Sequence, residues 1–305
     1  MPTRLGAAVL TFAAIIGLAD LLGNSHGYLG LLSLVAAFFA LQRLGPAGWR
    51  RLLAAMLALS VAIAALAVIQ THYMPRSRGP FVSANFLAGY AVLHVFLALH
   101  VWGRTGRPLL AGAAILANGL ALALSQGRGG ILAFGAGMVA YLGRGRPRLA
   151  AVAGCAMLAI AIAVSLGRGE GATDPRFGIW RLALQAASQK LLLGWGQEGV
   201  LIGTLRPAGS DIVFGGVAVF YNVALEWLLA GGILGLAAGI WIIVEGLLAA
   251  RRQPALLAFL VAWLADGMFI FTTPGTSIPL FVVLAYLASE RRQIVDVAAA
   301  RVDDL

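Results

Sequence analysis

Residues 52–70 read LLAAMLALSVAIAALAVIQ, nineteen consecutive positions without a charge, with Arg50 and Arg51 directly before them and His72 just after. A bilayer crossing needs about 20 apolar residues in a row, and a helix satisfies its own backbone polar groups inside hydrocarbon where an open sheet cannot. The stretch therefore predicts a transmembrane helix. Comparable runs, bounded by Gly, Pro and Arg, cover 5–23, 28–42, 85–102, 108–124, 130–143, 149–166, 220–249, 255–271 and 274–289. The chain of 305 residues is 61% hydrophobic and 11% charged, with a mean hydropathy of +0.91, whereas soluble domains carry about 25% charged residues. These numbers predict an all-α, polytopic membrane helix bundle of about ten spans. The range is eight to ten, because 28–42, 130–143 and 274–289 are short for a crossing. Residues 1–289 read as one transmembrane domain and 290–305 as a polar, solvated tail.

The net charge of +10 does not point to nucleic acid, because the basic residues sit in short connections between apolar runs. There they mark orientation. With the N-terminus inside, the inner segments hold fourteen Lys and Arg and the outer ones eight, five of which fall in the long segment 167–219. Long segments translocate whatever their charge, so the short connections decide, and both termini are expected on the cytoplasmic side. Arg4 precedes the first apolar run as it would in a signal peptide, but no small-residue cleavage site follows and Asp20 lies near its end; the run is read as a span. Cys155 is the sole cysteine, which excludes an internal disulfide and a cysteine metal site.

Ionisable side chains within spans are costly and mark function. Asp20 lies three residues from the outer end of its span, Asp266 five from the outer end of its own, and Glu226 six into the eighth. At 1.5 Å per residue these depths are about 5 to 9 Å. Asn85, Asn118, Gln126 and Arg128 fall on the same side, while Glu245 lies towards the inner one. A transporter would place such groups near the midplane, so an outward-facing cavity is expected instead. Over it, segment 167–219 is long enough to fold as a lid. Within that segment Ile179 to Leu193 reads as an amphipathic interfacial helix, with Trp180, Leu184 and Leu191 apolar and Arg181, Gln185 and Gln189 polar. Its arginines, like Arg128, suit a lipid phosphate or diphosphate, whose oxygens a guanidinium grips two at a time.

Four short stretches occur in a fixed order. They are Ser83-Ala84-Asn85-Phe86-Leu87-Ala88-Gly89-Tyr90; Ser125-Gln126-Gly127-Arg128-Gly129-Gly130; Arg176-Phe177-Gly178-Ile179-Trp180 followed by Leu193-Gly194-Trp195-Gly196; and Tyr221-Asn222 followed by Gly232-Ile233-Leu234-Gly235. Together, over about residues 80 to 245, they resemble the O-antigen ligase and O-antigen polymerase superfamily of bacterial membrane glycosyltransferases.

The resemblance implies a C-type glycosyltransferase architecture in the bacterial inner membrane, with 167–219 periplasmic. It implies metal-independent transfer, without a cofactor, of a glycan from an undecaprenyl-diphosphate-linked donor. The acceptor would be lipid A core for a ligase, another repeat unit for a polymerase, or a protein hydroxyl. Arg128 and Arg176 match the family arginines that hold the diphosphate, and Arg181, Asn85 and Asn222 join the expected substrate-binding set. Gly194, Gly196, Gly232 and Gly235 are expected to serve backbone geometry and close packing. Tyr221 stands where the family's ligases carry a histidine followed by Asn, nine residues and Gly-x-x-Gly. A tyrosine, with an ordinary pKa near 10, is a poor base at neutral pH. Three readings stay open: a polymerase-like enzyme with its base elsewhere, a ligase-like enzyme using Glu226 or Asp266, or an inactive relative. His26 and His72 lie on the outer side as further possible bases, whereas His94 and His100 are expected to make packing hydrogen bonds. A non-enzymatic binder or transporter of lipid-linked glycans is the rival from another class.

Overall fold

A computed structural model describes residues 3–22, 28–104, 107–143, 145–149, 151–152, 154–156, 176–196, 222–269 and 274–303. Among them the regular structure is helical, with no strand. In chain order the helices are α1 (Arg4–Leu22), α2 (Tyr28–Leu41), α3 (Pro46–Gln70), α4 (Ala84–Arg104), α5 (Pro108–Ser125), α6 (Arg128–Leu142), α7 (Arg176–Gln189), α8 (Val223–Ala250), α9 (Pro254–Gly267) and α10 (Pro274–Asp303). By length and composition α1, α3, α4, α5 and α8 can cross a membrane, whereas α2, α6 and α9 are shorter apolar helices. Pro opens α3, α5 and α9, where its missing N–H would have had no partner in any case. The expected span at 149–166 lies largely outside the described residues. The helix α10 continues from the last expected span through the tail to Asp303.

The helices group into two compact units. The first comprises 44–171 and 250–283. Here α4 is the centre: α3, α5, α6 and α9 all pack on it, and it is buried from Phe86 through Ala98. A helix apolar all round is stable only when enclosed in this way. Small residues set the spacing. The Phe96 ring occupies the hollow beside Gly137, next to the Ala258 carbonyl. A polar bond ties α5 to α3, because Asn118 Nδ2, which also donates to the Ala114 carbonyl of its own helix at 2.8 Å, donates to Ser60 Oγ at 2.9 Å. His94 Nδ1 sits 2.8 Å from the Tyr90 carbonyl, and its ring stacks on that of Tyr90, a packing role in keeping with the sequence.

The second unit comprises 1–43, 172–249 and 284–305. Its central feature is that α8 is not one straight span. At Gly232 the backbone turns through φ 64° and ψ −159°, a conformation open essentially to Gly alone. The bend is sharp: a Cβ on Gly239 would strike the Trp227 ring, and one on Gly235 would stand 3.0 Å from the Trp227 carbonyl oxygen. Breaking a helix frees backbone groups that must find partners when buried. The stretch after α7 supplies them. The N–H groups of Trp195 and Gly196 donate to the carbonyls of Leu229 and Ala230 at 2.7 and 3.0 Å, and the Ile233 N–H donates to the Leu191 carbonyl at 2.8 Å. Contact this close explains Gly194 and Gly232, where any Cβ would run into the facing carbonyls of Leu229 and Leu192.

Helix α7 packs Ala183, Ala186 and Ala187 on Leu229. Leu184 of α7 and Leu191 just after it, the apolar positions of the expected interfacial helix, are 54% and 55% exposed. The Trp195 indole N–H closes the arrangement by donating to the Ala186 carbonyl at 2.9 Å, with Lys190 Nζ 4.2 Å above the ring. Towards the other end of α8, Glu245 meets Arg291 at 3.4 Å.

Candidate functional site

In the first unit α3, α5 and α9 end, and α4 and α6 begin, at one end of the bundle, where polar contacts join the ends of α3 and α5 to the start of α4. Asn85 lies in the first turn of α4, and the N–H of Asn85 donates to Ser83 Oγ at 3.3 Å. Opposite it α5 closes at Gln126, in the left-handed region at φ 50°, followed by Gly127 as the cap of α6. Ser125 shapes this turn: its Oγ donates to the Leu122 carbonyl at 2.7 Å and accepts the Gly127 N–H at 3.2 Å. Gly127 and Gly130 both lie against Ala88, so near that a Cβ on either would stand 2.5 Å from the Ala88 Cβ. The first two motifs, some forty residues apart in the chain, are thus packed backbone to backbone. Arg128 is half-buried between two glycines of this turn, at the start of a helix whose first N–H groups favour anions.

Asp266 joins the same end from the last turn of α9. It is only 3% exposed, and among the described residues neither a hydrogen bond nor an ion pair reaches its carboxylate. It lies against Gly89 of α4 and 3.7 Å from where a Gly129 Cβ would stand. Burying a carboxylate in an apolar helix without a donor costs several kcal/mol on general grounds, on the order of 2.5–3.5 at mid-membrane.

Arg76, one of the outer charges that mark orientation, also belongs to this end. Its Nε donates to the Ser125 carbonyl at 3.1 Å and its Nη2 to Asn85 Oδ1 at 3.2 Å. The one signal for it was its nearness to the Asn85 motif.

Other expected site residues belong to the second unit. Asn222 Oδ1 accepts the N–H groups of Ala224 and Leu225 at 3.0 and 3.1 Å, which makes Asn222 the cap of α8. Glu226 follows in the first turn, where a negative charge is stabilising. Glu226 belongs to the half-helix that precedes the break at Gly232. Arg181 is exposed on α7, and Arg176 opens that helix, its side chain lying outside what is described, as do Tyr221 and His26. His72 is exposed in the α3–α4 connection, its ring edge-on to Tyr73. No group of three His, Cys, Asp or Glu able to hold a metal ion occurs among the described residues. Neither family models nor curated proteins give a match to this chain.

Proposed function

We propose that this protein is a membrane glycosyltransferase related to the O-antigen ligases, moving a glycan from an undecaprenyl-diphosphate-linked donor to an acceptor hydroxyl at the outer face of the bacterial inner membrane. The observation that carries this reading is the gathering of Asn85, Arg128 and the buried, donor-less Asp266 at one end of one helix unit. Support also comes from the second pair of motifs, since Leu193-Gly194-Trp195-Gly196 laces into the helix break at Gly232.

In this reading Arg128 holds the diphosphate and neutralises the charge that grows on it as the glycosidic bond breaks. The acceptor oxygen forms the new bond to the anomeric carbon, and its proton passes to a carboxylate. Asp266 takes that role in preference to Glu226, because Asp266 shares its end of the unit with Arg128 and Asn85, and Glu226 already serves the first turn of α8.

The test is transfer in proteoliposomes from a radiolabelled undecaprenyl-diphosphate oligosaccharide, offering lipid A core and a second lipid-linked repeat unit as separate acceptors. Product on the core marks a ligase and chain lengthening a polymerase. Donor binding with no product on either acceptor would leave a binding protein, and unchanged transfer by Arg128→Ala would remove the diphosphate role.

A further inference from the structure

We infer that Arg76 is a positioning residue, which sets the backbone of the Ser125–Gly130 turn and through it the place of the Arg128 guanidinium; the inference rests on the reading of Arg128 given above. Arg76 is half-buried in the connection between α3 and α4. That connection is anchored before Arg76 acts on anything. Ser77 Oγ donates to the Ala67 carbonyl at 2.6 Å, and the Ser77 N–H donates to the Leu124 carbonyl at 3.2 Å. Gln70 Oε1 accepts the N–H groups of Arg78 and Gly79 at 3.1 and 2.9 Å, while its Nε2 donates to the Gly79 carbonyl at 2.7 Å. The guanidinium therefore reaches out from a fixed base.

What it reaches is the peptide plane that leads into the turn. The Ser125 carbonyl belongs to the last residue of α5, one of the acceptors a helix end leaves unsatisfied, and Arg128 follows three residues later. Water or a glycine cap could satisfy that carbonyl. Arg76 does more, because the same planar group holds Asn85 of α4 at 3.2 Å and so fixes the spacing between the two motifs. A lysine has one nitrogen on a flexible stem and cannot reproduce a fork whose Nε and Nη2 engage acceptors on two elements. Catalytic geometry is sensitive to this kind of support, since displacement by about 1 Å can cost on the order of 100-fold.

The experiment measures binding of radiolabelled undecaprenyl diphosphate to the full-length protein in proteoliposomes, with glycan transfer alongside. The variants are Arg76→Gln, Arg76→Lys, Arg128→Gln and the double variant Arg76→Gln/Arg128→Gln, with the exposed neighbour Arg78→Gln as control. Arg76→Gln and Arg76→Lys are each expected to weaken binding about ten-fold or more, and Arg78→Gln to leave it unchanged. Because Arg76 acts through Arg128, the double variant should bind no more weakly than Arg128→Gln alone. Losses that multiply in the double variant overturn the inference, and so does wild-type affinity in Arg76→Lys, which keeps the charge without the fork. A wild-type protein that fails to bind the diphosphate instead overturns the function proposed above, and this inference with it.

Discussion

The carboxylate of Asp266 fills the hollow left by the absent side chain of Gly89, so that a Cβ at position 89 would occupy the space of the carboxylate itself. This is a contact between two helices, α9 and α4, made by the least likely pair for hydrocarbon: a bare backbone and an ionisable group. Gly89→Ala is expected to destabilise the first unit by about 1–3 kcal/mol, the usual cost of overpacking. Thermal unfolding in detergent measures it. Gly89→Ala/Asp266→Ala should recover most of the loss, and a double variant as unstable as the single one would contradict the contact.

Asp266→Asn keeps the shape of the side chain and removes its capacity to take a proton at neutral pH. If Asp266 is the base, transfer should fall by about 10²–10⁴-fold while undecaprenyl-diphosphate binding stays within a factor of a few. Glu226→Gln should change transfer little. The two variants measured side by side, with binding and product formation followed separately, decide between the acids.

Asn222, named in the expected substrate set, holds the first turn of α8 with its Oδ1. Asn222→Ala is expected to cost about 1 kcal/mol of stability, and Asn222→Asp, which keeps the acceptor oxygen, close to nothing. Thermal midpoints of the two variants test this, and equal losses would reject the cap.

Gly232→Ala should be the most damaging of these changes. A positive φ at a residue with a Cβ costs about 1–3 kcal/mol, and this Cβ would also meet the Leu192 carbonyl. The expected consequence is release of the 191–196 stretch from α8. Trypsin should then cut after Lys190 faster than in the wild type, and an unchanged cutting rate would show that the break tolerates a side chain.

Hydropathy made most helices legible, because an apolar run long enough to span hydrocarbon is a one-dimensional signal. The break in α8 was not. Gly231, Gly232 and Gly235 sit within an apolar run like many packing glycines, and only the partners supplied by Leu191 to Gly196 distinguish a bend from a straight helix. The packing of α7 was not legible for another reason: leucine outranks alanine in hydropathy, yet Ala183, Ala186 and Ala187 make the contact with Leu229 while Leu184 is exposed. At the candidate site, Asn85, Arg128 and Asp266 stood out because each is polar near a span end. Arg76 did not, because an arginine in a loop is what membrane orientation alone requires.

The lacing of 191–196 into α8 has a consequence for how the chain enters the membrane. The carbonyls of Leu229 and Ala230 and the N–H of Ile233 are satisfied by residues made earlier in synthesis, so the bent form of α8 is complete only when the preceding loop has returned to meet it. Until then a straight insertion, with every bond inside the helix, is the state hydrocarbon favours. The loop thus acts as the template on which the eighth helix acquires its bend, and the order of synthesis places the template before the part it shapes.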